Sequence, residues 1–194
     1  MPRLIDAVLP PGSLRRLAQP TFDVNGHVLR PWRATDAPEV EAAYATPDIQ
    51  QWHARSMTAD EARRWVASWG SRWQAETGGS WAVATPTELL GQVSLRRIDL
   101  DGGDAEISYW VVPAARGRGV ASSAVRAVTA WAFRELGLHR IAIEHSVANP
   151  ASCRVATGAG YRLEGTLRAQ FLHPDGWHDM HVHARLTDDP DTPA

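Results

Sequence analysis

Apolar positions along this chain repeat with two distinct periods, and the alternation of those periods predicts the elements. Trp65, Trp69 and Trp73 recur every fourth residue and therefore line one face of a helix. Thr58-Ala59-Asp60-Glu61 opens that helix as a capping box, and Thr77-Gly78-Gly79 ends it at about Glu76. Pro38 and acidic residues after Thr35 or Asp36 predict an earlier helix through Tyr44, and Pro47–Arg55 reads as a loop. A third helix is predicted over Gly119–Leu136, stopped by Gly137, and a fourth runs from Asn149-Pro150 to about Ala159 before Gly160. Strand-like runs cover Val28–Arg33, Ser80–Thr85, Leu90–Ile98, Glu106–Val112 and Arg140–Val147. Asp101-Gly102-Gly103-Asp104 reads as a hairpin turn, and Tyr161–Leu172 with Trp177–Leu186 as a closing hairpin around Pro174-Asp175-Gly176. The order is strand, two helices, three strands, helix, strand, helix, two strands. Hairpins mixed with crossover helices predict an α/β fold: a mixed sheet with helices on both faces.

The Pro- and Gly-rich residues 1–26 predict an extended N-terminal arm with a short helical turn at Leu14–Leu17; 27–186 is one domain, and the Asp/Pro-rich tail 187–194 is expected to be disordered. A chain of 194 residues with 44% hydrophobic residues suits one core. No apolar run is long enough to span a bilayer and no export signal is read, so no membrane partner is expected. A single cysteine excludes an internal disulfide and fits a reducing, cytoplasmic setting. A net charge of −2 with interspersed signs argues against nucleic acid as a partner. A burial habit shared by tryptophans makes the Trp65–Trp69–Trp73 stripe a core or groove-facing surface; the alternative is the wall of a substrate cleft or a dimer contact.

Between the strand ending at Val111 and the helix after Gly119 stands Arg116-Gly117-Arg118-Gly119-Val120-Ala121. This order places free amides, two guanidinium groups and the positive end of a helix dipole together, which attracts a phosphate. Neither a P-loop nor a dinucleotide fingerprint is present. Arg116-x-x-Gly119-x-Ala121 resembles the Arg/Gln-x-x-Gly-x-Gly/Ala motif of the GNAT superfamily of N-acetyltransferases, and the run from Ala105 to Ala121 looks like its ribosomal-protein branch, over about Val28 to Leu186. The resemblance implies that Arg116, Gly117, Arg118, Gly119, Val120 and Ala121 hold the pyrophosphate of acetyl-coenzyme A. It also implies that the strands before and after the central helix splay, and that backbone groups of Tyr109, Trp110 and Val111 pair with the pantetheine arm.

Acetylation of an amine requires a base, a polarised thioester and a proton for the leaving thiolate. Glu106, in its Ala-Glu-Ile context, is the first choice of base, and Glu144, five residues before Asn149, the second; for either, the plain alternative is a strand glutamate paired with an arginine. Asn149-Pro150-Ala151-Ser152 reads as a helix start by itself; the resemblance adds contact of Asn149 with pantetheine and places the Ser152 hydroxyl near the sulfur. Many relatives outside that branch carry a tyrosine acid where this chain has Ala156, which moves that role to Ser152 or water. Cys153 reads as a small core residue, or as a thiol able to form a disulfide with coenzyme A. His173, His178, His181 and His183 cluster near the C-terminus; a metal site, an acceptor-cleft lining and a structural role are weighed, and no metal is expected. Asp48, Trp52, His53 and His173 are expected to line the acceptor cleft. The leading expectation is acetyl transfer from acetyl-coenzyme A to a protein N-terminal amine in a ternary complex. A small amine acceptor (amino sugar, polyamine or antibiotic), a non-catalytic acyl-coenzyme A sensor and a metal-binding module are the competing readings. A homodimer paired through the arm stands as the alternative to a monomer.

Overall fold

The structure, a computed structural model, describes residues 4–190. Its eight strands form one sheet in the order β1-β2-β3-β4-β5-β6-β8-β7. The strands are β1 (Phe22–Val24), β2 (His27–Pro31), β3 (Gly78–Ala84), β4 (Leu89–Asp99), β5 (Asp104–Val111), β6 (Arg140–Ser146), β7 (Arg162–His173) and β8 (Gly176–Leu186). The helices are α1 (Ala37–Tyr44), α2 (Pro47–His53), α3 (Ala59–Gln74), α4 (Val120–Trp131) and α5 (Pro150–Gly158). Every neighbouring pair is antiparallel except β5 and β6, which run parallel because α4 crosses between them. That parallel pairing stops at Glu106–Ala142, although β5 continues to Val111 and β6 to Ser146. The two strands therefore diverge, and a slot opens along the edge of β5.

The capping box at Thr58 forms as predicted: Thr58 Oγ1 accepts from the Glu61 amide while the Glu61 carboxylate accepts from the Thr58 amide. The tryptophan stripe of α3 divides along its length. Trp73 is buried in the core and stacks on Trp131 at 5.8 Å, with Trp81 edge-on to both. Trp65 and Trp69 instead wall a cavity. Strand β3 begins at Gly78 rather than Ser80, and a Cβ at Gly79 would stand 2.8 Å from the Trp73 ring, so the glycine lets the strand close onto the stripe. Past Trp131, α4 widens into a π-helical turn over Ala132–Leu136 and ends at Gly137, whose φ of +87° closes it.

Three predictions change. Pro47–His53 is a helix rather than a loop: Pro47 occupies the first turn, Ile49 is buried against α1 and α3, and Ala54 in the left-handed region ends it. Seven residues are too few for a readable period. The arm is not free-standing: Leu14 is fully buried, and the Glu76 carboxylate accepts the amides of Gly12, Leu14 and Arg15. Its turn at Leu14–Leu17 closes with the Leu17 amide on the Leu14 carbonyl, and Phe22–Val24 adds a strand to β2. The tail is tied down as far as Pro190: the Thr187 amide donates to the His139 carbonyl, and Asp189 pairs with Arg162 at 3.2 Å. Residues 1–3 of the arm and 191–194 of the tail lie outside the described residues. Among the described residues no helix is long and apolar enough to cross a membrane.

Candidate active site

The glycine–arginine turn forms where the sequence places it. After β5 a short 3₁₀ turn, Pro113–Ala115, leads to Gly117 (φ +72°) and Gly119 (φ +73°), and α4 starts at Val120. A Cβ at either glycine would meet nothing within 4 Å, so these glycines serve the positive φ and leave open space above the helix start. No side chain caps α4, which leaves its first amides for a ligand. A cavity of about 520 Å³ runs from this turn along the slot, lined by Gly117, Gly119, Val120, Ala121 and Ser122 at one end and by Asn149 and Ser152 at the other. Arg118 is exposed and stands outside that lining.

Two residues belong elsewhere than expected. Asp48 lines the cavity at the glycine turn, and its carboxylate holds Arg116 Nη1 at 2.6 Å; Arg116 Nε donates to the Val111 carbonyl at 3.1 Å. The start of α2 thus sits over the turn. The Val112 amide donates to Leu90 on β4 at 2.9 Å, so by alternation Trp110 turns its backbone to β4 while Tyr109 and Val111 face the slot. Trp110 contributes its ring, buried beside Tyr44 and Ile49.

A second cavity, about 400 Å³, opens on the other side of the slot. Trp65, Trp69, Arg55, Arg72, Arg96, Arg97, Glu106, Glu144 and His173 are among its walls. The two cavities share five lining residues: Trp52, His53, Tyr109, Asn149 and Ser152. Trp52 packs edge-on against His173, whose Nδ1 hydrogen-bonds the Gln51 carbonyl at 2.8 Å, so α2 and the β7–β8 hairpin close over the junction. His53 hydrogen-bonds the Tyr109 backbone; burial pushes its imidazole down to about 4, outweighing that bond, with Arg96 and Arg55 adding to the fall, so the ring is neutral.

At the junction the Tyr109 hydroxyl lies 2.7 Å from Ser152 Oγ and donates to the Ser152 carbonyl at 3.2 Å. Burial pushes the Tyr109 phenol up to about 12 against the lowering effect of Ser152. The Asn149 side chain accepts the Ser152 amide at 3.1 Å and so fixes the start of α5, while Ala156 is fully buried. A tyrosine hydroxyl thus reaches Ser152 from β5. The sequence reading used Tyr109 only for its backbone; an apolar strand gives no sign of where a ring's hydroxyl ends.

The two candidate bases differ. Glu106 is buried and directly opposite Arg96, with Oε1 at 2.8 Å from Arg96 and Oε2 at 3.1 Å from Arg97. Oε1 is hydrogen-bonded to Arg96, whereas Oε2 lies in ion-pair reach of Arg97 and is buried without a hydrogen bond. Glu144 is half-buried and forms no such pair; burial, then the nearby Glu106 carboxylate, raises its carboxyl above the ordinary range, with Arg97 and Arg96 pulling against them. The four arginines of this cavity went unread because Arg96 meets Glu106 only through strand register.

A family model described as Acetyltransferase (GNAT) domain matches residues 27–162. The ribosomal-protein-serine acetyltransferase of Escherichia coli (strain K12) is 37% identical over 102 residues, 52% of this chain and 56% of that protein. A putative ribosomal N-acetyltransferase, YdaF, of Bacillus subtilis (strain 168) is 36% identical over 98 residues, 50% of this chain and 53% of its own. These matches span about half the length of the curated relatives. Among solved structures, RimL, a ribosomal alpha-N-protein acetyltransferase in complex with coenzyme A through a cysteine disulfide, superposes with a TM-score of 0.81 at 22% identity, over 88% of this chain and all of that one. A probable acetyltransferase superposes at 0.80 with 26% identity, over 86% and 96% of the two chains. With the family model covering most of a chain that carries the splayed strands and the glycine turn, this protein belongs to the GNAT acetyltransferase family.

Proposed function

We propose that the protein transfers an acetyl group from acetyl-coenzyme A to the N-terminal amine of a protein, by direct attack in a ternary complex. One observation carries the reading: a cavity that begins at an uncapped helix N-terminus and a cavity that holds carboxylates meet at Ser152 and Tyr109. The first suits a long donor with a diphosphate at one end, and the second an amine.

In this scheme the α4 amides and Arg116 hold the diphosphate, and the slot-facing groups of Tyr109 and Val111 pair with pantetheine. Their carbonyls already accept from His53 and Arg116 and retain a second lone pair. Asn149 orients the start of α5. Glu144 takes the proton of the attacking amine, directly or through one water, because its raised carboxyl is better matched to that work than a clamped one. For the Ser152 hydroxyl to hydrogen-bond the departing sulfur, Tyr109, which stays protonated, turns its one proton from the Ser152 carbonyl to Ser152 Oγ, and the released thiolate takes its proton from water. Trp52, His53 and His173 form the wall between donor and acceptor.

The acceptor cavity sets Arg55, Arg72, Arg96 and Arg97 against Glu106 and Glu144. Glu106 is already paired, so the cavity favours an acceptor with carboxylates close behind its amine. The test is thiol release from acetyl-coenzyme A with peptides that share an N-terminus and differ in charge at the next three positions. Acidic peptides are expected to give kcat/KM about tenfold above neutral ones. Equal rates would refute the charge preference; no release with any peptide or small amine, with the donor bound, would refute the catalytic reading.

A further inference from the structure

His145, Cys153, His181 and His183 come from three separate elements and meet under the sheet–α5 contact, outside the lining of the donor cavity and touching the second cavity only through His145. His145 on β6 stands directly opposite His181 on β8, and His183 follows two residues later on the same face. Cys153 descends from the first turn of α5, its Sγ 3.9 Å from His183 Nε2. One nitrogen or sulfur from each of the four lies within 4.8 Å of every other.

The hydrogen bonds of these rings face outward. His145 Nδ1 is bonded to the Ser146 carbonyl at 2.8 Å, and His183 Nδ1 reaches the Tyr161 carbonyl at 3.5 Å. A backbone carbonyl on Nδ1 makes that nitrogen the donor and turns the lone pair of Nε2 inward, the arrangement that metal-bound histidines use. His145 is 5% exposed, and its Nε2 is buried without a hydrogen-bond partner; so is His181 Nδ1. Buried polar atoms are rarely left unpaired. A cation at the centre would satisfy both at once.

We propose that His145, Cys153, His181 and His183 form a closed four-ligand site for one divalent zinc-class cation. Three imidazoles and a thiolate suit zinc(II), and the lack of a carboxylate disfavours magnesium and calcium. Tetrahedral zinc places its ligand atoms about 3.3–3.7 Å apart, so side-chain rotations of roughly 1 Å complete the cage. Binding converts the Cys153 thiol to a thiolate and releases its proton to solvent. With all four positions filled by protein the ion is structural: it ties α5, and with it the neighbouring Ser152, to β6 and β8.

The experiment uses the full chain, reduced and stripped with a chelator, titrated with cobalt(II) and then zinc(II). One equivalent of cobalt is expected to give the visible absorption of a tetrahedral ion together with a sulfur-to-metal charge-transfer band, and zinc to displace it. Zinc is expected to raise the melting temperature of the wild type. Cys153→Ser should lose the charge-transfer band and bind zinc at least about tenfold more weakly. His181→Gln, at a half-buried position, tests the site should the cysteine variant fail to fold, and should weaken zinc similarly while keeping the band. A wild type without the band, or zinc affinity unchanged in both variants, overturns the proposal and leaves a cluster of buried neutral imidazoles. None of these readouts depends on acetyl transfer.

Discussion

The two cavities that meet at Ser152 are built by different means. The cavity proposed for the donor starts from main chain, where consecutive residues turn through Gly117 and Gly119 and present the start of α4, and side chains of α2, β5 and α5 complete its wall. The cavity proposed for the acceptor is made of side chains from α1, α2, α3, β4, β5, β6, α5, β7 and β8. A ligand held by backbone amides tolerates change in the surrounding side chains but not in the backbone path. A ligand held by side chains is redefined by single substitutions. On the proposed reading, one turn serves a common donor while the opposite cavity changes its acceptor.

The contrast breaks first at the turn. Gly119→Glu forces a non-glycine residue into φ +73° and sets a carboxylate over the uncapped helix start. Coenzyme A affinity is expected to fall by about 100-fold or more, roughly 3 kcal/mol, by calorimetry. Gly119→Ala carries the strain without the charge and should lose about tenfold. Equal losses in the two would mean that no anion sits there.

On the acceptor side the expected change is in rate. Glu144→Gln should lower kcat by about 100-fold, within the range for a lost general base, with coenzyme A affinity unchanged. Glu106→Gln breaks the clamp on Arg96 and Arg97 instead and should lower kcat/KM about tenfold, mostly through KM, because it disorders the arginines that meet the acceptor. A larger kcat loss in Glu106→Gln than in Glu144→Gln would restore Glu106 as the base.

The same contrast explains what the chain disclosed before its structure was known. The glycine–arginine turn was legible because its residues are adjacent and each has a backbone reason to be there. Asn149 and Ser152 were legible as a helix start, and their place at the junction follows from the resemblance. Strands β4 and β5 were readable, but the pairing of Arg96 with Glu106 depends on register. The phenol of Tyr109 and the cluster of His145 with Cys153 and His183 depend on where α5 lands on the sheet. Helix α2 has a single buried residue, Ile49, and gives no period to read, so the place of Asp48 beside the glycine turn is not legible in the sequence.

Asp48 sharpens the boundary between the two regions. It is exposed, and it occupies Arg116 at the edge of the donor cavity. Asp48→Asn removes a negative charge near the expected phosphates and frees the guanidinium. Coenzyme A affinity should rise about two- to fivefold at low salt, the worth of an exposed ion pair, and the gain should shrink as salt is added. A loss of affinity would mean that Asp48 holds Arg116 in its working position.

His53 stands on both sides of the junction, and its effect is the smallest. Its folded imidazole is pushed down to about 4 by burial, while an unfolded histidine titrates near 6.5. Between those values the unfolded chain binds the extra proton. The contribution to stability is therefore complete above pH 6.5 and is lost as pH falls towards 4. Discounted for partial exposure, the loss from pH 7 to pH 5 is about 1 kcal/mol, or roughly 2–4 °C in melting temperature. His27, His145 and His183 shift in the same direction, so the informative quantity is a difference. His53→Gln should flatten the melting-temperature profile over that interval by this amount. An unchanged profile would mean that the ring is solvated in both states, and that the wall between donor and acceptor is more open than its hydrogen bond to the Tyr109 backbone implies.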